Sequence, residues 1–183
     1  MATTAPEEVR ERVLSYISHQ VAKGPDNIRE TVQKGHDQLL RLIDGLSEEQ
    51  AAFKPAPDVW SVLEVFDHVV TAKRGIVRLC SSLSRGEAAD GIGGEGQATE
   101  QDGITGKRYD ALAEARAGAQ AAHDELLAFV QTLSEDVNEE ARHDHFLFGA
   151  LNCQEWAAFQ RIHDADHTGQ IEQIKAAPGY PAA

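Results

Sequence analysis

The sequence predicts an all-α fold: a bundle of four principal helices with an extra helix at the N-terminus. Three observations carry the prediction. Apolar residues recur at helical spacing along several long segments, two capping-box signatures mark helix starts, and no segment alternates as a strand should. The chain has 183 residues, of which 42% are hydrophobic. That is material for one well-buried core, so residues 1–183 read as a single domain, with 1–24 as an N-terminal extension.

The first helix is expected from Glu7 to about Val21, broken by Lys23-Gly24-Pro25. The second runs from Asn27 to about Leu46, its apolar stripe formed by Ile28, Val32, Leu39, Leu40 and Ile43 and interrupted by Gly35 and His36. Ser47-Glu48-Glu49-Gln50 has the form of a short capped turn, and Lys54-Pro55-Ala56-Pro57 is a loop, since each proline holds the preceding residue extended. A third helix opens at Ser61-Val62-Leu63-Glu64, where the serine hydroxyl accepts from the Glu64 N–H and the Glu64 carboxylate reaches back; it ends near Ser84. Glu87 to Gly106 is rich in Gly, Ala, Glu and Asp and offers little to bury, so it reads as a mobile loop able to join helices that are not antiparallel neighbours. A fourth helix is expected over Tyr109 to Leu133. After a connector, Asn152-Cys153-Gln154-Glu155 caps the last one, which runs to about Ala176 and is stopped by Pro178-Gly179-Tyr180-Pro181.

Composition removes some function classes. Seventeen basic against thirty acidic residues leave a formal charge of −13, a surface that repels phosphate backbones and argues against nucleic-acid partners. The basic cluster Lys73-Arg74 with Arg78 reads as a solvated helix face. No apolar run approaches the ~18 residues of a membrane span, and no N-terminal stretch has the form of a signal peptide. Cys80 and Cys153 lack metal or redox spacing and read as buried reduced thiols; the expected location is the cytoplasm.

The chemistry concentrates on histidine. On a wheel of about 100° per residue, His167 falls about 40° from His163, with Trp156, Phe159, Gln170 and Ile174 within about 40° of His163. Both imidazoles therefore project from the apolar face of the last helix, and an i,i+4 pair on one face can bind one metal ion. Asp164, Glu172 and Lys175 take the opposite face to varying degrees. On the Ser61 helix, Ser61, Val65, Ala72 and Leu79 lie within about 60° of His68, so His68 also faces inward. Three neutral imidazoles from two helices leave coordination positions open, as catalytic rather than structural sites do.

Other readings of the same residues are weaker. A zincin would need a third ligand well downstream, and only 16 residues follow His167. A di-iron carboxylate bundle needs inward glutamates and Glu-x-x-His pairs, which are missing here. His143 and His145 read as a solvated loop, with His145 the candidate to reach the pocket mouth. Asp67, Asp164 and Asp166 are either acceptors that orient a ligand ring or surface charges. His19, His36 and His123 read as isolated and non-functional, and Cys153 as a buried thiol rather than a nucleophile.

Trp60-Ser61-Val62-Leu63-Glu64-Val65-Phe66-Asp67-His68 resembles the W-S-x-x-E-V-x-x-H segment of the DinB-like (YfiT-like) metal-binding bundles. Phe148 through Trp156, then His163-Asp164-Ala165-Asp166-His167, Gln170-Ile171 and Pro178-Gly179-Tyr180-Pro181, is similar to that family's closing helix. The resemblance covers about Asn27 to the C-terminus; the first helix is additional. It implies a four-helix bundle with a long crossover loop, often a homodimer, with one divalent ion (Zn²⁺ or Ni²⁺ foremost) on residues corresponding to His68, His163 and His167. Some relatives are transferases or isomerases that use a low-molecular-weight thiol such as mycothiol or bacillithiol.

The sequence therefore favours a metal-dependent enzyme on a small-molecule substrate, with thiol S-transfer or isomerase chemistry foremost. A non-catalytic metal-binding or stress-related bundle and a metal-water hydrolase are the alternatives. For the hydrolase, Asp166 or His145 would serve as general base. His145, Trp156, Asp166 and Gln170 are the candidate pocket or ligand-orienting residues.

Overall fold

The computed structural model describes residues 6–87, 109–133 and 140–182. Apart from Glu87, the expected loop over Glu87 to Gly106 lies outside them. The elements in chain order are α1 (Glu7–Val21), α2 (Pro25–Arg41), α3 (Glu48–Ala52), α4 (Val62–Ser84), α5 (Leu112–Thr132), β1 (His143–His145), β2 (Gly149–Leu151) and α6 (Cys153–Ala176).

The anticipated capping boxes are formed. Ser61 Oγ accepts from the Glu64 N–H at 3.2 Å while Glu64 Oε2 accepts from the Ser61 N–H at 2.7 Å. Asn152 and Glu155 make the same reciprocal pair, at 2.9 Å in both directions. Each satisfies two of the N–H groups a helix start leaves without partners, which fixes where α4 and α6 begin. Between α1 and α2 the chain turns through Gly24 at φ +87°, a left-handed conformation open to glycine, and Pro25 starts α2 with its φ already helical.

Three expectations about elements are corrected. The second helix stops at Arg41, short of Leu46, because the chain leaves helical geometry before Gly45 at φ +77°. The fourth starts at Leu112; Tyr109 precedes it and packs its ring over Gly118, where a Cβ would lie 2.7 Å from the Tyr109 Cζ. The connector holds an antiparallel ribbon, His143 opposite Leu151 and His145 opposite Gly149. Strands of three residues are too short to display a period of two in sequence.

α4 packs on α5 and α6, and α2 packs on the same two helices, so the four form a ring with α2 and α4 on one diagonal. The core lies in two apolar clusters. One gathers Val32 of α2, Ile76 of α4, Leu126 of α5 and Trp156 of α6; the other gathers Leu39, Val69, Ala119 and Ile171 of the same helices. The order in which each helix visits the clusters gives its direction: α2 and α6 run one way, α4 and α5 the other. α4 and α5 are thus parallel neighbours, and parallel neighbours need a crossover the length of the bundle, the four-helix topology with one long connection. α1 lies on α6 and α2 and adds Ile17 to the first cluster.

Between the two clusters lies a polar level to which each bundle helix contributes at least one fully buried residue: His36 from α2, Lys73 from α4, His123 from α5, and Gln160 and Asp164 from α6. Lys73 and Asp164 form an ion pair at 2.7 Å with both side chains fully buried. His36 and His123 stack at 3.9 Å between ring centroids and 10° between planes. Lys73 is therefore not on a solvated face, Asp164 is not a surface charge, and His36 and His123 are not isolated. A helix wheel reports a face; only the partner helix decides whether a charge on it is buried.

Candidate metal centre

His68 comes from the second turn of α4, and His163 and His167 come from successive turns of α6. Because α4 and α6 pack together, the three rings meet. His163 Nε2 lies 3.2 Å from His68 Nε2 and 3.1 Å from His167 Nε2. All three offered nitrogens lie within 4.8 Å of one another. Two nitrogens on one tetrahedral Zn²⁺, with bonds of about 2.0–2.1 Å, stand roughly 3.3 Å apart, so the converging nitrogens have the spacing of a shared coordination shell. No other group of three histidine, cysteine or acidic residues with this convergence occurs among the described residues.

The environment favours the neutral, ligand form of His163 and His167. Burial, reinforced by His167, His68 and Lys73 nearby, drives His163 well below the ordinary histidine pKa. Burial also lowers His167, partly opposed by Gln170 and by the carboxylates of Asp166 and Asp164. Both are neutral at pH 7 and keep a lone pair to donate. His167 Nδ1 lies 2.8 Å from Gln170 Oε1. The amide oxygen accepts from Nδ1–H, which leaves the Nε2 lone pair pointing at the other two rings.

His68 is the half-buried member of the trio, whereas His163 and His167 are buried. Trp60 covers it, 5.0 Å from the His68 ring and 6.5 Å from that of His167, near parallel to the latter at 20°. In the sequence Trp60 stands out as the first residue of the W-S-x-x-E-V-x-x-H segment, but nothing in that pattern places its ring over the histidines.

The remaining candidates separate. Gln170 touches the site through His167. Trp156 is buried, but its Nε1–H donates to the His143 carbonyl at 3.3 Å and its ring rests on His145, so it anchors the ribbon to α6. Asp166 is exposed and reaches His167 only through long-range attraction. His145 is not in a solvated loop. It is 4% exposed, stacked among Phe148, Phe159 and Trp156 at 4.7–5.1 Å, and burial lowers its pKa to about 4. Its Nδ1 accepts the Leu147 N–H at 3.1 Å, so any proton it donates elsewhere is on Nε2. Asp67 is buried and lines a cavity of about 210 Å³ with Lys54, Glu64 and Tyr109; none of the three histidines lines that cavity. Cys80 and Cys153 are buried free thiols with pKa values raised by burial, that of Cys153 to about 11, which leaves neither as a nucleophile at neutral pH.

The stacked pair His36–His123 has a different geometry. Its rings lie face to face rather than converging edge-on, so their nitrogens do not aim at a common point, and His123 Nε2 pairs instead with Gln33 Oε1 at 3.1 Å.

Fold and site together define a helical bundle whose three inward histidines form a group able to hold a metal ion. The chain belongs to the DinB superfamily, whose family profile matches residues 31–171. No curated protein and no solved structure matches the chain. The family match begins inside α2, so α1 lies outside it.

Proposed function

We propose that this protein is a metal-dependent enzyme that acts on a small molecule, with one divalent ion, Zn²⁺ or Ni²⁺, held by His68, His163 and His167. The observation that carries the proposal is the convergence of three imidazole nitrogens from two helices. The favoured chemistry is S-transfer or isomerisation with a low-molecular-weight thiol of the mycothiol, bacillithiol or glutathione type. An ion so held supplies Lewis acidity that lowers the pKa of a bound thiol or water towards neutrality.

The chain's own part is to present three imidazole donors and to hold them still. Gln170 orients the His167 ring, and Trp60 limits water on the side of His68. Because His68 is the half-buried ligand, substrate and thiol would approach past His68 and Trp60. Residues 1–183 would act as one domain, cytoplasmic and homodimeric, with no nucleic-acid partner, consistent with the charge of −13. Among the described residues no helix is long and apolar enough to cross a membrane.

The test is a thiol-transfer screen. Purified protein is loaded with Zn²⁺ or Ni²⁺ and offered mycothiol, bacillithiol and glutathione with electrophilic small molecules, beside the metal-free protein and His163→Ala. Turnover that needs both metal and thiol supports the reading. Stoichiometric metal binding with no turnover under any thiol would favour a non-catalytic metal-binding bundle. Turnover of ester or amide substrates without thiol would favour the hydrolase.

A further inference from the structure

We propose that the buried Lys73–Asp164 ion pair is a positioning device for the metal centre, setting the register of α4 against α6 so that His68 meets His163 and His167. The inference rests on the metal-site reading above.

The geometry puts pair and trio on one interface. α4 carries His68 and, further along the same helix, Lys73; α6 carries Asp164 between His163 and His167. Lys73 Nζ donates to Asp164 Oδ2 at 2.8 Å and stands 2.7 Å from Oδ1, so the ammonium sits against the carboxylate. Both side chains are fully buried, and Lys73 is close enough to act electrostatically on His163 and His167.

A buried ion pair is a poor way to gain stability, since well-packed apolar side chains often do as well or better. What it gives is discrimination. The flanking contacts are made by apolar side chains such as Val69, Ile76, Ala157 and Ile171, whose burial is non-directional and specifies a register less sharply than a pair of opposite charges does. The ion pair loses everything, because a slide of one helical turn, about 5.4 Å, buries both charges without partners. The same slide would carry His68 away from His163, whose nitrogens stand 3.2 Å apart. One wrong register is thus excluded by the pair, and the right one assembles the ligands.

The other half of the polar level, His36 and His123, lies on α2 and α5, which carry none of the three histidines. It supplies a control of equal burial.

The experiment uses the full chain loaded with Co²⁺, whose visible bands report coordination geometry, with circular dichroism to verify folding. The variant Lys73→Met/Asp164→Leu removes both charges together. It should stay helical, lose at least tenfold in Co²⁺ affinity and change the intensity or position of the visible bands. The near-isosteric Lys73→Gln/Asp164→Asn, the safer variant for folding, should show the same spectral change with a smaller loss of affinity. His36→Leu/His123→Leu should keep affinity within twofold and the wild-type spectrum. A folded charge-free variant with wild-type affinity and spectrum would overturn the proposal, as would an equal loss in the His36/His123 control. If the wild-type chain itself fails to bind Co²⁺, the metal-site reading fails first.

Discussion

His167 Nδ1 donates to Gln170 Oε1 across 2.8 Å, three residues along the same helix. The bond fixes both the tautomer and the plane of the ring that shares its Nε2 with the trio. Gln170→Ala removes the acceptor while leaving the three histidines in place. Metal affinity should fall about 10- to 100-fold, the usual cost of removing a ligand's orienting partner, with little change in helical content. A competition titration against a chromophoric chelator measures it; unchanged affinity would show that packing alone holds the ring.

Stability should fall as the solution is acidified. Burial lowers His36 and His145 to about 4 and His123 to about 2, each from an ordinary value near 6.5. Below pH 6.5 the unfolded chain takes up protons on these residues and the folded chain does not, so unfolding gains. Each stabilising contribution is complete above the unfolded pKa and declines as pH falls towards the folded one. The loss between pH 7 and pH 5 should be at most about 2 kcal/mol for each histidine. Urea titrations at the two pH values test this, and His36→Leu/His123→Leu should flatten the dependence. Equal stability of the wild type at pH 7 and pH 5 would contradict the neutral, buried assignment.

Removal of the metal should lower stability without unfolding the protein. The two apolar clusters involve α2, α4, α5 and α6 and do not depend on an ion, unlike the core of a zinc finger. At free metal about 1,000-fold above Kd the ion adds about 4 kcal/mol, worth about 10 °C in Tm for a chain of this size. Thermal melts with and without chelator should show that drop with helical signal retained at 25 °C. Collapse of the signal at 25 °C on chelation would show that the bundle depends on its ion.

The parts of this fold legible in sequence are those written locally. Ser61 with Glu64, and Asn152 with Glu155, are each three residues apart, so the starts of α4 and α6 can be read from four-residue strings. The inward faces of His68, His163 and His167 follow from helical periodicity once those starts are known. The burial of Lys73 and Asp164 has no local signature, because their partnership spans 91 residues. Each looks like an ordinary surface charge until the other helix is laid against it. The pairing of His36 with His123 is hidden in the same way, since a stack between α2 and α5 joins residues far apart in the chain. A connector with two three-residue strands looks like a loop in sequence, yet the ribbon folds His145 onto Phe148, Phe159 and Trp156. Gly35, a break in the apolar stripe of α2, marks a close approach: a Cβ there would stand 2.9 Å from the Arg161 side chain of α6.

The proposed metal centre requires His68, His163 and His167 to hold one divalent ion as a unit. The most direct measurement is metal content per chain after dialysis at neutral pH, for the wild type, for His68→Ala, His163→Ala and His167→Ala, and for His19→Ala and His143→Ala, which lie outside the trio. The wild type and the two outside variants should retain about one ion per chain, and each of the three trio variants should lose nearly all of it. Full retention in both His163→Ala and His167→Ala would contradict the site. Loss in those two with retention in His68→Ala would confine it to α6 and remove the third ligand.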